Sequence, residues 1–214
     1  MLAASQNKNS GIYTLLRKGV KEAGMAPFYT GSGDEGFTGI LGEDRLPKYD
    51  LRLEVLGTLD EATAVLGMAR ALCQLPETRK LILQLQRDLY QLMTETAAAP
   101  DTAGNFHKIE GRHVSWIEEQ IKIIGRRVDL PREFIVPGDT WVGAVLDLAR
   151  TVVRRGERRM AELLHRGDVK NPETLKYLNR LSTFVYLLEL LENQTAGTSN
   201  PTLAKTEQDD RNFD

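Results

Sequence analysis

The stretch that decides the fold is residues 139–166, DTWVGAVLDLARTVVRRGERRMAELLHR. Its apolar residues Val142, Val145, Ala149, Val152 and Met160 recur at three- and four-residue steps, the spacing of one buried helical face. Asp139 or Thr140 can cap the start, and the helix is expected to run to about His165. Counted from Arg150 at about 100° per residue, the apolar positions fall between about 200° and 280°. On the same scale Arg154 lies near about 40°, Glu157 about 340° and Arg158 about 80°. These three side chains and Arg150 therefore share one arc, which borders the buried face and does not oppose it. Arg155, at about 140°, and Arg159, at about 180°, point elsewhere.

Outward from this helix the chain reads as further helices. Thr58-Leu59-Asp60-Glu61 fits a capping box, so a helix is expected from there through Leu66, Met68 and Ala69 to about Cys73. Pro76 opens a second, with Leu81, Leu85, Leu89 and Leu92 on one face, fading near Ala99-Pro100. A third spans roughly Ile109 to Ile124 and stops at Gly125. Asn171-Pro172 starts the last, which runs to about Asn193. With almost no alternating strand pattern and short connections, the fold class is all-α: an antiparallel five-helix bundle with a glycine-rich N-terminal loop. Residues 1–25, with a short helix over Ile12–Glu22, read as an N-terminal extension, 26–195 as the bundle and 196–214 as a flexible tail.

Bulk properties limit what this bundle can do. Net charge is -2 over 214 residues, so a general nucleic-acid binder is disfavoured and any anion site must be local. Cys73 is the only cysteine, which rules out an internal disulfide and a cysteine-based zinc site. A reducing, cytoplasmic setting is expected, with a mitochondrial matrix as the lesser alternative. No apolar run is long enough to span a membrane. His107, His113 and His165 lack metal-ligand spacing and read as surface or capping residues. Cys73, among leucines, reads as buried and not nucleophilic. Trp116 and Trp141 read as core or interface aromatics.

Two segments carry candidate chemistry. Gly31-Ser32-Gly33-Asp34-Glu35-Gly36 matches G-x-G-x-x-G, but Gly39 and Gly42 follow it where a dinucleotide fold needs a helix. A plain surface loop and a loop whose N–H groups cradle phosphate both remain open. The second is the arginine helix. Arg150, Arg154 and Arg158 repel one another at four-residue spacing, and only Glu157 offsets them nearby. Guanidinium groups bind phosphate oxygens bidentately, so a triphosphate is a natural guest. The alternative is a solvated face. Asn179-Arg180 interrupts the stripe of Leu175, Leu178, Leu181 and Leu188, and a polar residue there needs a partner.

Taken together, three ordered segments resemble the PduO-type ATP:cob(I)alamin adenosyltransferase family. The first is Tyr29-Thr30-Gly31-Ser32-Gly33-Asp34-Glu35-Gly36-Phe37-Thr38-Gly39, with Lys48, Asp50 and Gly57-Thr58-Leu59-Asp60-Glu61. The second is Phe134-Ile135-Val136-Pro137-Gly138 with Leu148-Ala149-Arg150-Thr151-Val152-Val153-Arg154-Arg155-Gly156-Glu157-Arg158-Arg159. The third is Tyr177-Leu178-Asn179-Arg180-Leu181-Ser182. The resemblance implies a homotrimer with active sites between subunits, in which cob(I)alamin attacks the 5′ carbon of ATP to give adenosylcobalamin and tripolyphosphate. It further implies that Thr30, Ser32, Gly33, Asp34, Gly36, Lys48, Arg154, Glu157, Arg158 and Asn179 contact ATP or its Mg²⁺, with Arg155 included by the motif. Arg154, Glu157, Arg158 and Phe134 would carry catalysis. Phe134 would displace the lower axial ligand of cobalt, and Asp60 would pair with Arg150 across the subunit boundary. A cobalt reductase and a B12-dependent acceptor enzyme are implied partners. Three positions depart from the family pattern: Gly31 for a basic residue, Asp139 for a glycine, and Gly156 for an alanine. A non-catalytic ATP- or cobalamin-binding sensor or carrier is the competing reading, and a structural trimeric bundle a further one.

Overall fold

The structure, a computed structural model, describes residues 29–42, 45–98, 106, 108–198 and 200–205. The expected extension 1–25 and its short helix lie outside these residues. The chain forms two compact units, Met1–Phe37 and Thr38–Asp214.

Among the described residues, five helices build the second unit: α1 Leu51–Leu72, α2 Pro76–Ala97, α3 Gly111–Gly125, α4 Trp141–Arg166 and α5 Glu173–Thr195. The glycine-rich region adds a two-stranded sheet of β1 Phe37–Gly39 and β2 Arg45–Pro47. Helix α4 packs between α1 and α5, while α2 covers α1 and α3 covers α5. Val55, Leu59, Leu66, Leu146, Val153, Leu181 and Leu188 fill the resulting core without solvent exposure. The helix carrying the arginines is thus held between two neighbours, which fixes its orientation.

Helix α1 begins seven residues before the expected Thr58. Asp50 caps it, its Oδ1 accepting from the Arg52 N–H at 2.8 Å, and the apolar period already starts at Val55. Thr58 is interior, its hydroxyl donating to the Glu54 carbonyl at 2.8 Å, so the capping-box pattern is coincidental. The other helices start and stop close to expectation. Thr140 caps α4 by accepting from Gly143 N–H at 2.9 Å, and Gly167, at φ 79°, ends it in the left-handed conformation. Asn171 Oδ1 accepts from Glu173 N–H at 3.1 Å at the start of α5.

Two polar anchors hold elements together. The Arg52 guanidinium donates to the carbonyls of Thr96, Ala98 and Asp168, tying α1 to the ends of α2 and α4. Glu192, fully buried on α5, accepts from Gln74 and Leu75 N–H at 2.8 and 3.3 Å, which satisfies the α1–α2 turn where no local side chain caps α2. Cys73 is buried beside it, and burial together with the Glu192 carboxylate pushes its thiol up to about 12. The thiol is therefore inert, as its leucine-rich setting suggests.

Part of the expected free tail, residues 202–204, is paired with the segment before α4. Val136 N–H donates to Thr202 C=O at 2.8 Å and Ala204 N–H to Phe134 C=O at 2.7 Å, an antiparallel bridge centred on Ile135 and Leu203. Asp139 locks it, accepting from Thr202 N–H at 3.0 Å and from its hydroxyl at 2.7 Å. The carboxylate at the position where the family pattern has glycine thus has a local role.

Candidate functional site

A cavity of about 530 Å³ opens where the segment before α4 crosses α4 and α5. Arg132, Phe134, Ile135 and Pro137 form one wall, Asp147, Arg150 and Arg154 of α4 a second, and Ser182, Thr183 and Tyr186 of α5 a third. Phe134 and Arg154, singled out from separate sequence segments, thus share one site. Phe134 is 85% exposed, an apolar ring held out to meet something by the tail bridge behind it. Its size lies in the range of small-molecule sites.

The arginines of α4 separate by their partners. Arg150 donates to Asp147 Oδ1 at 2.7 Å, Arg155 pairs with Glu61 on α1, and Arg159 lies 3.6 Å from Glu162. Arg154 and Arg158 are exposed and have no ion pair among the described residues. Two like charges one turn apart with no ion pair among the described residues could hold an anion. Arg155, left ambiguous by its angle, is engaged in holding α4 to α1. Asp60 is exposed on α1, and within one chain Arg150 is matched by Asp147 and not by Asp60.

Glu157 and Asn179 meet across the α4–α5 groove. The Asn179 amide donates to Glu157 Oε1 at 2.7 Å and accepts from Arg180 Nη1 at 2.8 Å. Asn179 is exposed beside the leucine stripe, so the partner it required is Glu157. Elsewhere in its motif, Tyr177 is buried and donates to Asp88 Oδ2 at 2.7 Å, and the Ser182 hydroxyl donates to Asn179 C=O at 3.0 Å. Gly156 lets α4 approach α1, since a Cβ there would sit 3.0 Å from Leu59 Cδ2.

The glycine loop belongs to the first unit. Asp34 N–H donates to Gly31 C=O at 3.1 Å and Gly36 N–H to Gly33 C=O at 3.2 Å, two successive turns. Gly31 and Gly36 take φ of 69° and 81°, a conformation that favours glycine and accounts for Gly31 where the family pattern has a basic residue. The Thr30 and Ser32 hydroxyls are 2.8 Å apart. In the second unit, Lys48 is exposed between β2 and α1.

Several site groups escaped the sequence reading. Asp147, three residues before Arg150, and Tyr186, four after Ser182, lie on faces already identified, so spacing could have found them. Glu189 could not be foreseen. It is 1% exposed, neither carboxylate oxygen has a partner among the described residues, and burial with the nearby Asp147 carboxylate raises it to about 8, against the pull of Arg150. It is therefore protonated at neutral pH. Trp141 is 85% exposed, which removes the core reading for it, while Trp116 packs edge-on against Phe184 at 6.4 Å.

A sequence profile described as "Cobalamin adenosyltransferase" matches residues 28–192, more than half of the chain. The chain belongs to this family. Among curated relatives, the Corrinoid adenosyltransferase PduO of Citrobacter freundii is 33% identical over 80% of this chain, which spans about half (51%) of that protein. The Corrinoid adenosyltransferase of Bacillus subtilis is 32% identical over 79% of the chain and 88% of its own length. A variant of the PduO-type ATP:corrinoid adenosyltransferase from Lactobacillus reuteri, complexed with cobalamin and ATP, superposes with a TM-score of 0.75 at 26% identity. That match covers 84% of this chain and all of the other. The resemblance drawn from three segments therefore extends through the family's helical fold.

Proposed function

We propose that the chain transfers the 5′-deoxyadenosyl group of ATP to cob(I)alamin, releasing adenosylcobalamin and tripolyphosphate. The observation that carries this reading is the convergence of Phe134 and Arg154 on one cavity, with Arg154 and Arg158 making no ion pair among the described residues. The relatives' names and the ATP and cobalamin complex of the Lactobacillus reuteri protein support it.

In the reaction the Co(I) electron pair forms a bond to C5′ as the C5′–O bond breaks and tripolyphosphate leaves. The cobalt supplies the nucleophile, so the protein's task is to position two substrates and stabilise the leaving charge. Arg154 and Arg158 hold the triphosphate. Glu157, held by Asn179, would hold a Mg²⁺ ion brought in with the nucleotide, and such an ion would need few protein ligands. Thr30, Ser32, Gly33, Asp34, Gly36 and Lys48 also contact ATP. Arg155, already paired with Glu61, contributes by fixing α4. Phe134 presents an apolar ring to the lower face of cobalamin and displaces the axial ligand. Asp60 and Arg150 pair between subunits of a homotrimer, with Arg150 leaving or sharing Asp147. A reductase supplies Co(I), an acceptor enzyme takes the product, and the reducing compartment this requires fits the cytoplasm.

The test mixes the protein with ATP, Mg²⁺ and chemically reduced cobalamin and follows the visible spectrum. Conversion to adenosylcobalamin is expected. ATP binding without conversion would instead establish the sensor or carrier.

A further inference from the structure

We propose that Arg180 is a positioning residue for the nucleotide site, acting through Asn179 on Glu157. The inference rests on the reading that Asn179 and Glu157 face ATP or its metal.

The geometry is a relay across three helices. Arg180 on α5 donates from Nε to Glu118 Oε1 on α3 at 3.0 Å and from Nη1 to Asn179 Oδ1 at 2.8 Å. Asn179 then donates from Nδ2 to Glu157 Oε1 on α4 at 2.7 Å. An amide has one accepting and one donating end, and a guanidinium only donates. With Arg180 on Oδ1, the amide has a single orientation left, its Nδ2 toward Glu157. Turned over, Asn179 would set an oxygen against a carboxylate. Arg180 therefore fixes the amide, and the amide occupies one Glu157 oxygen. Glu157 Oε2 has no partner among the described residues and is left for the ligand. Glu118 holds the guanidinium from the other side, which gives α3, a helix with no residue in the cavity wall, a part in the chemistry.

The relay's value lies in orientation, not in stability. Arg180 and Glu118 are both about two-fifths exposed, and such pairs contribute little to folding. A ligand group held to one geometry, in contrast, affects substrate binding and turnover steeply.

The experiment compares the full chain with Arg180→Met, Arg180→Lys, Glu118→Gln, Asn179→Ala, Glu157→Gln and the Arg180→Met/Asn179→Ala double variant. KM for ATP, half-saturation by Mg²⁺ and KM for cobalamin are measured, with thermal melts as a check on folding. Arg180→Met should raise KM for ATP about tenfold, the scale of one charge-assisted contact, and leave KM for cobalamin unchanged. Arg180→Lys should recover part of this, because a single ammonium cannot match the fork that serves both partners. Glu118→Gln should move ATP kinetics in the same direction and less. The double variant should be no worse than Asn179→Ala, as expected of residues acting in series. Independent, multiplying effects in the double variant overturn the proposal, as does an unchanged KM for ATP in Arg180→Met where Asn179→Ala raises it. If Asn179→Ala and Glu157→Gln both leave ATP kinetics unchanged, the reading of the nucleotide site fails, and the proposal with it.

Discussion

Arg154 lines the cavity and makes no ion pair among the described residues, whereas Arg159, five residues on, lies against Glu162. Arg154→Ala should therefore lower kcat/KM about a hundredfold or more, the scale of removing one group that meets developing charge. The melting temperature should hardly move, because Arg154 is exposed and makes no ion pair among the described residues. Arg159→Ala in the same assay should leave kcat/KM nearly intact; equal losses for both would refute the division of the arginines. Glu189 offers a prediction of a different kind. Its folded pKa of about 8 lies above the ordinary carboxylate value of 4.5, so the folded state holds a proton that the unfolded chain releases. Stability from this group is full below pH 4.5 and falls as pH rises toward 8. Glu189→Gln removes the ionisation, so its advantage over the parent in urea unfolding should grow across that window. A gap that is flat with pH would mean that Glu189 is not the titrating group. Sequence could supply the arginines and their arc, since a helix angle follows from spacing alone. It could not supply Glu189, whose position on an apolar face reads as an error until its neighbours are known.

Elements owe their starts and stops to residues that patterning reveals unevenly. Pro76 and Asn171-Pro172 mark helix starts by backbone chemistry that travels with the residue type, and these boundaries were legible. The start of α1 was not, because Asp50 and Thr58 are both good caps and only packing from Val55 onward chooses between them. The start of α4 rests on a tighter arrangement. Thr140 accepts from Gly143 N–H and donates to Asn193 at 2.5 Å, and a Cβ on Gly143 would lie 2.2 Å from Asn193 Oδ1. Gly143→Ala should lower stability by about 1–3 kcal/mol, the usual range for overpacking, despite alanine's better helix propensity. A stabilised variant in denaturant unfolding would show that Asn193 can move aside at no penalty. The tail is the other element that patterning missed. Its polar composition reads as free chain, and the pairing depends on Asp139 meeting Thr202 sixty-three residues away. Asp139→Ala should speed hydrogen exchange at the Val136 and Ala204 amides and spare those of α5. Unchanged exchange there would remove the lock from the account.

At the scale of the whole molecule, the bundle delivers groups from distant parts of the chain to one groove because α4 is enclosed by α1 and α5. The three departures from the family pattern each have a local account: a left-handed turn at Gly31, close helix approach at Gly156, and the tail lock at Asp139. The proposed homotrimer gives a prediction that belongs to this scale. Sedimentation should report three chains per particle, and Asp60→Ala should lower activity per chain more at low protein concentration than at high. A monomer that retains full activity would sink the intersubunit role of Asp60 and Arg150. Measuring how such an assembly moves calls for probes at chosen places, and the solitary Cys73 makes that simple. Its sulfur is enclosed and holds its proton to about 12, so maleimide chemistry at neutral pH passes it by. A cysteine introduced on the exposed tip of Leu130 or at Trp141 would be the one thiol that takes a dye or spin label, with no need to rebuild the native site first.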